Sequence, residues 1–232
     1  ERKSHMVREL KNIYVSVGEY DKALHILKSY SELFDDAYSV YLQLYVRHRA
    51  CTTVKEKKSV LKEVKKALHK YNTYDLRDLY ADILAYDFLM IKEAIPVEEK
   101  LISYTSSDHK EIDWEDSNGC VLELIRFNKF LKREKEVERY KQLFVNALYQ
   151  YVGCSGEEAF DRFIESDPTA RLDNLTLIVD FLAITGEIRL AEKYAAMMNG
   201  CVMCSFCNYT ACCDRLEAIG ILYEAKGDMA RA

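Results

Sequence analysis

A short motif recurs three times along the chain: a glycine, an acidic residue directly after it, and an alanine five residues after the glycine. Its copies are Gly18–Ala23, Gly186–Ala191 and Gly227–Ala232. Glycine ends a helix in the left-handed conformation, and the acidic residue favours the first turn of the helix that follows. The small alanine lets two helices approach closely. The motif therefore predicts a helix-turn-helix unit that repeats along the chain.

Composition limits the fold class to all-α. The 232 residues include only two prolines and eight glycines, too few for a β-rich protein with many tight turns. Leucine, alanine, glutamate and lysine, which favour helix, are abundant. Seventeen tyrosines suit the seams between packed helices, where large amphipathic rings fill space.

Charge and hydropathy limit the classes of partner and the cellular compartment that are expected for the protein. A net charge of −5 argues against a general nucleic-acid binder, which needs a basic surface. No apolar run approaches the ~18 residues of a membrane-spanning helix, so no membrane partner is expected. Because eight cysteines occur without a secretory signal pattern, we expect a reducing environment and a cytoplasmic protein.

The first helical pair, residues 6–17 and 21–31, resembles a tetratricopeptide repeat, which is a 34-residue helical hairpin. The residues that carry the resemblance are Leu10, Tyr14, Gly18, Tyr20, Ala23 and Leu27. Lys11 departs from the pattern, because it stands where the family places a small residue. The resemblance implies a right-handed superhelical array of hairpins whose first helices line a concave groove.

We expect a single array over residues 1–232. The repeats are predicted at about 4–37, 38–72, 73–106, 121–154, 172–205 and 213–232, the last of them incomplete. Residues 103–119 are predicted as a loop, and 200–213 as a cysteine-rich loop between repeats. The second helix of the third repeat is expected after Pro96. Because the array stops within a hairpin, we expect a fragment of a longer protein that lacks a C-terminal portion. A missing N-terminal portion is left open.

Side chains on the first helices of the hairpins are the candidates for ligand binding. They are Arg8, Asn12, Tyr41, Tyr45, Arg126 and Asn174. Arg8 and Asn12 resemble the basic residue and asparagine with which some tetratricopeptide domains clamp the C-terminal carboxylate of heat-shock chaperones. The clamp is incomplete, because Gln43, Arg77 and Ala81 stand at its remaining places. The groove is therefore expected to bind a peptide or protein segment, with the C-terminus of a chaperone as a minor alternative.

Five of the eight cysteines fall within thirteen residues. They are Cys201, Cys204, Cys207, Cys212 and Cys213. The spacing of Cys204, Cys207 and Cys212 suits three thiolate ligands of a structural zinc, with Cys201, Cys213 or Asp214 as the candidate fourth ligand. Cys212 and Cys213 point about 100° apart on a helix, so one metal is not expected to bind both. Free thiols packed as small apolar groups and a redox site are the alternatives.

The segment Met203–Asp214 also resembles a cysteine-bearing linker in the tetratricopeptide regions of bacterial regulators. A separate run of lysines, from Lys55 to Lys70, makes one helix strongly basic. Its lysines are interpreted as a solvated face, with an acidic partner or nucleic acid as alternatives. Aromatic side chains for base stacking are not interleaved with them, so nucleic-acid binding is not expected through this region.

Sequence signatures of enzymes are not found: there is no phosphate-binding glycine loop, no His-Glu-x2-His and no nucleophile elbow. The sequence predicts a non-catalytic scaffold for a peptide or protein segment, without a cofactor unless zinc is bound. Its expected role is the sensor or regulatory module of a larger bacterial signalling or transcription regulator. Two alternatives stay open: a zinc- or redox-responsive switch through the Cys201–Cys213 loop, and a structural self-assembly module.

Overall fold

The structure is a computed structural model that describes residues 2–106, 109–167, 170–198 and 209–231, with the backbone alone over 209–215. The described chain is helical apart from turns, short loops and one isolated bridge between Tyr104 and Ile112, which confirms the all-α prediction. The helices are α1 Arg2–Ser16, α2 Tyr20–Ser29, α3 Asp36–Ala50, α4 Val54–Tyr71, α5 Tyr74–Asp82, α6 Ile91–Glu98, α7 Trp114–Phe130, α8 Glu134–Val152, α9 Glu157–Ser166, α10 Arg171–Thr185, α11 Ile188–Met198 and α12 Tyr209–Ala225.

Left-handed turns follow α1, α10 and α12 at the three glycines of the repeated motif. The φ angles of Gly18, Gly186 and Gly227 are 76°, 86° and 76°. In each turn the amide of the acidic residue donates to the carbonyl five residues earlier, which satisfies a carbonyl that the helix end would otherwise leave unpaired. These bonds run from Glu19 to Tyr14 at 2.8 Å, from Glu187 to Leu182 at 2.8 Å and from Asp228 to Tyr223 at 2.9 Å.

The chain divides into two compact units, and the first, Glu1–Leu101, contains α1 to α6. Each of these helices packs against the next, and α3 also packs against α5. Two apolar clusters form the core, one around Leu27 and one around Val64. Tyr41 and Tyr45 pack against both clusters, so these half-buried rings join neighbouring hairpins.

The third pair of helices differs from its prediction in the position of Pro96. A π-helical segment, Ile83–Asp87, follows α5, and α6 then begins at Ile91 and contains Pro96 as its sixth residue. Proline removes one hydrogen bond from such a helix. Burial of Ile91, Ala94 and Ile95 against the unit holds the short helix in place despite that loss.

The second unit, Ile102–Ala232, contains α7 to α12, and aromatic rings fill its core. Phe144 lies 4.9 Å from Trp114 and 4.1 Å from Phe181, measured between ring centroids. Phe163 meets Trp114 edge-on at 5.2 Å. Such edge-on and stacked pairs stabilise a core beyond the area that they bury.

The loop predicted over 103–119 ends at Asp113 in the structure, because α7 begins at Trp114. Asp113 caps this helix, since its carboxylate accepts from the amide of Asp116 at 3.2 Å. Trp114, Ser117 and Cys120 are buried on one face of its first turns. Burial of the indole therefore fixes the start of a helix in a stretch whose composition is polar.

Candidate functional site

Three helices of the second unit bring charged side chains together at one place, here called the Arg126 cluster. The cluster consists of Glu123 and Arg126 on α7, Asp180 on α10 and Glu217 on α12. The Arg126 guanidinium lies 2.6 Å from a Glu123 oxygen, 2.7 Å from Asp180 Oδ2 and 3.9 Å from a Glu217 oxygen. One cation is thus shared among three carboxylates from three different helices.

The fold places these side chains together because α10 packs against both α7 and α12. Asp180 lies within an apolar run of α10, and only 7% of it is exposed. Ile125 and Phe127, the neighbours of Arg126, are buried in the core. Hydrophobic burial of the flanking residues therefore holds both partners of the Arg126–Asp180 ion pair in register.

The Asp180 carboxyl is the most perturbed group of the cluster. Burial raises its pKa to about 7, the negative charges of Glu217 and Glu123 act in the same direction, and Arg126 opposes them. Its Oδ1 atom is buried and accepts no hydrogen bond from the residues that the structure describes. A buried acceptor without a donor is costly, so a ligand that donates to Oδ1 would gain from filling this place.

The chemistry of the Arg126 cluster suits recognition of a cation. Three carboxylates surround one guanidinium, which leaves an excess of negative charge once all of them are ionised. A lysine or arginine side chain, or a free amino terminus, supplies both positive charge and hydrogen-bond donors. Glu217 is largely exposed, so the cluster opens to solvent on the side of α12.

Asn174, which the sequence predicts as a ligand-binding residue, lies on α10 and joins this helix to α9. Its side-chain amide donates to the backbone carbonyl of Phe163 at 3.0 Å, which ties α10 to α9. The structure thus places Asn174 half-buried against the preceding helix, and its contact with Phe163 uses one of the two N–H donors of its side-chain amide.

In the first unit, the candidates lie on α1 and α3. Arg8 and Asn12 are exposed on α1. Tyr41 and Tyr45 belong to a row of rings that starts at Tyr38, with successive centroids 5.7 Å and 6.2 Å apart. Burial and nearby acidic groups raise the pKa of the Tyr41 hydroxyl above its usual range, so this hydroxyl stays protonated.

Lys11, the residue that departs from the repeat pattern, is buried beside this row of rings. Only 7% of it is exposed, and its ammonium lies 5.1 Å from the centroid of the Tyr45 ring. Burial is the main cause that lowers the pKa of Lys11; Arg8 adds to the effect and Glu9 opposes it. A cation over the face of a tyrosine is stabilised by the ring, which explains how a lysine fits here.

The metal candidates Cys201, Cys204 and Cys207 lie outside the described residues, and Cys212 lies in the part of α12 described by its backbone alone. Within the described ranges, no group of three or more histidine, cysteine, aspartate or glutamate side chains could hold a metal ion. In the same part of the chain, no helix has both the length and the apolar character needed to cross a bilayer.

Sequence reasoning found Arg126 but missed Asp180 and Glu217. A signal for Asp180 was available, because it is the single charged residue between Leu175 and Ile184 in an otherwise largely apolar run. A lone carboxylate in such a run has to be paired, neutral or bound to a ligand. Its proximity to Arg126, 54 residues earlier, depends on the packing of α7 against α10.

Comparison with protein-family models, with curated proteins and with solved structures gives no match. The tetratricopeptide resemblance therefore depends on the residues of this sequence alone, and a functional proposal has to be drawn from the side chains that the fold brings together.

Proposed function

We propose that the chain is a non-catalytic scaffold that binds a peptide or protein segment along the first helices of its hairpins, with a cationic group of the ligand held at the Arg126 cluster. The observation that carries the proposal is the convergence of Glu123, Asp180 and Glu217 on a single guanidinium, with Asp180 Oδ1 buried and unbonded. A preformed site of this kind binds an extended ligand at little ordering cost to the protein.

The wider role follows from the resemblance of the sequence to tetratricopeptide repeats and to the cysteine-bearing linker of bacterial regulators. On that basis we propose a right-handed superhelical array that serves as the sensor or regulatory module of a larger bacterial signalling or transcription regulator in the cytoplasm. Binding of a peptide at α7, α10 and α12 would favour one packing arrangement of these helices over others. A non-catalytic protein can transmit a signal through such a shift between conformations.

A selection from random heptapeptides displayed on phage tests the binding function. Selected peptides are synthesised, and their dissociation constants are measured by calorimetry at about pH 8, where Asp180 is ionised. We expect the selected sequences to share a lysine or an arginine. D180N keeps the shape and the acceptor for Arg126 but removes the charge, so it is expected to weaken binding about tenfold or more.

The exposed glutamate Glu138 on α8 provides the matched control, because E138Q removes one negative charge of the same unit outside the cluster. E138Q is expected to leave the affinity within about twofold of the unmodified protein, since an exposed charge contributes little. The proposal fails if no peptide binds more tightly than about 100 μM, or if D180N binds the selected peptides as well as the unmodified protein does.

Self-assembly is a second candidate function, and the apolar face of α1 favours it. Met6, Leu10 and Ile13 on α1, and Val17 directly after its end, are all exposed and follow one another at intervals of three and four residues. Exposed contiguous apolar surface is typical of sites where proteins interact. We propose that this face pairs with another copy of the chain.

Light scattering over a range of protein concentrations tests self-assembly. The unmodified protein is expected to associate as concentration rises, and I13K is expected to remain monomeric because a charge interrupts the apolar face. F130K serves as the control, since Phe130 is an exposed apolar residue of α7 in the other unit. A strict monomer at high concentration, or equal effects of I13K and F130K, would count against the α1 surface.

A further inference from the structure

Helix α4 carries a line of positive charge on the face opposite the core. Lys55, Lys58, Lys62 and Lys65 are exposed and recur at intervals of three and four residues; they are called here the lysine stripe. The buried residues of the same helix are Val60, Val64 and Ala67. Over eleven residues of helix the stripe is about 16 Å long.

The lysine stripe is unpaired among the described residues, although the chain has more acidic than basic side chains. The whole chain contains 38 aspartates and glutamates and 33 lysines and arginines. Other basic side chains, such as Lys141, Lys193 and Lys226, form salt bridges. On α4 itself Lys57 bonds to Asp87, and Lys70 lies 2.7 Å from the Tyr71 hydroxyl. No hydrogen bond or salt bridge in the described chain involves the four lysines of the stripe.

Lysines at these intervals repel one another and lower the stability of a helix. Other features of α4 offset this cost. Thr53 and Glu56 form a reciprocal cap at its start, and its apolar face is buried against α3 and α5. A negatively charged partner would relieve the repulsion among these lysines, which would make the free energy of binding more favourable.

The surface is concave at the N-terminal end of the stripe. Val54, Lys55, Lys58, Ser59 and Lys62 line a depression of about 580 Å³. A second depression of about 280 Å³, lined in part by Ser59, lies beside it. Three lysines line the first depression, so an anion is favoured there, whereas the Glu56 carboxylate already caps the amides at the start of α4.

We infer that the lysine stripe is the docking surface for an acidic segment of a partner protein, separate from the Arg126 cluster. Lysine ammoniums are compact point charges that single carboxylates match, whereas bidentate recognition of phosphate is typical of arginine. Among the described residues that line the depression, none is an aromatic ring that could stack on a base. Of the described lining residues, Val54 is the one exposed apolar side chain, too little for insertion into a lipid surface.

Fluorescence anisotropy with a labelled acidic peptide tests this inference. The peptide is a helix former with glutamates at intervals of three and four residues, and binding is measured at about 50 mM and 200 mM NaCl. The variant K55Q/K58Q/K62Q/K65Q removes the stripe. We expect this variant to bind the peptide about tenfold or more weakly than the unmodified protein at the lower salt. We also expect the unmodified protein to bind the peptide more weakly at the higher salt than at the lower salt.

The matched control removes the same number of exposed lysines from scattered places, as K3Q/K28Q/K92Q/K135Q. Because both variants change net charge equally, the control is expected to stay within about twofold of the unmodified protein. Circular dichroism checks that the stripe variant keeps its helix content. If it does not, the double variant K58Q/K62Q is used, for which a several-fold loss is expected.

Three results would overturn the inference. The first is an equal loss of peptide affinity in both lysine variants, which would mean that net charge alone attracts the peptide. The second is tighter binding of a short duplex DNA or of vesicles containing phosphatidylserine than of the acidic peptide, which would assign the stripe to another class of partner. The third is absence of binding at the lower salt, which would leave the stripe as a solvated face.

Discussion

At the scale of single residues, the backbone at Gly186 determines how α10 ends. Its φ angle of 86° lies in the left-handed region, where a Cβ atom is strained. No atom lies within 4 Å of the position that a Cβ would take at Gly186. The demand for glycine is therefore conformational and independent of packing, and the same holds at Gly18 and Gly227.

We expect G186A to lower the free energy of unfolding by about 1 kcal/mol, because alanine disfavours the left-handed conformation. Gly119 offers a control of opposite sign, since it is exposed in the middle of α7 with free space around it. G119A is expected to raise the free energy of unfolding by about 0.5–1 kcal/mol through helix propensity. Urea denaturation followed by fluorescence of Trp114, the single tryptophan and a buried residue of this unit, measures both. Changes of the same sign would contradict this explanation.

Asp180 makes the stability of the second unit depend on pH. Its pKa is about 7 in the folded protein and close to 3.9 in an unfolded chain. Between these values the folded state holds a proton that the unfolded state has lost, so stability is greatest at the acidic end of the window. It then falls as pH rises from about 4 to about 7, by up to about 4 kcal/mol.

We expect D180N to flatten this fall and to raise the free energy of unfolding at about pH 8, since the uncharged amide avoids the cost of burying a charge. Urea denaturation at several pH values, again followed by Trp114 fluorescence, gives the slope. D173N is the control, because Asp173 is an exposed carboxylate of the same helix. Equal slopes for D180N and the unmodified protein would contradict the assignment of the pH dependence to Asp180.

At the scale of helices, the start of α4 shows how a cap secures an element whose lysines repel one another. The Thr53 hydroxyl accepts from the amide of Glu56 at 3.3 Å, and the Glu56 carboxylate accepts from the amide of Thr53 at 2.9 Å. Two amides that the helix leaves without partners are thereby satisfied. The basic helix that carries the lysine stripe thus depends on two residues at its first turn.

We expect T53A to lower the stability of the first unit by about 1 kcal/mol, because it removes the acceptor of the cap. T52A is the matched control: it removes only the longer bond of 3.4 Å that the Thr52 hydroxyl donates to Glu56, whereas the backbone amide of Thr52 still donates to Glu56 at 3.0 Å. Thermal denaturation followed by circular dichroism compares the two proteins. Similar losses of stability in T52A and T53A would show that the Thr53 hydroxyl does not stabilise α4 as its cap.

Helices with clear periodicity could be predicted from the sequence, whereas their boundaries at Trp114 and Pro96 could not. α7 begins inside a polar stretch because Trp114 is buried against Phe144 and Phe163, and a pattern of polar residues does not reveal that contact. α6 accommodates Pro96 because its apolar side chains are buried. In both places tertiary packing overrides local propensity. The same reason limits prediction of the site.

At the scale of the whole molecule, the candidate site combines residues that are far apart along the chain. Arg126 was predicted as a ligand-binding residue because its expected position is the first helix of a hairpin. Asp180 and Glu217 join it only through the packing of α10 with α7 and α12, which no local pattern encodes. Lys11 stood out in the sequence as a departure from the pattern, but its contact with the Tyr45 ring needed the fold.

The cysteines offer a test of the chain as a whole, because they divide into classes that differ in chemistry. Cys120 is buried, and burial raises the pKa of the half-buried Cys51, so both are expected to react slowly. A zinc ion bound by Cys201, Cys204, Cys207 and Cys212 would protect those four as well. A zinc determination, combined with a count of the thiols that react quickly in the native protein, therefore separates a bound metal from free thiols.

We expect purified reduced protein to contain less than about a tenth of an equivalent of zinc, as the scaffold proposal implies, and its cluster from Cys201 to Cys213 to react quickly with Ellman's reagent. All eight cysteines should react once the protein is denatured. C120S is the control: it should remove one slow thiol and leave the fast class unchanged, since Cys120 lies in the core. About one equivalent of zinc, released as four slow thiols become reactive, would instead identify a metal-responsive switch.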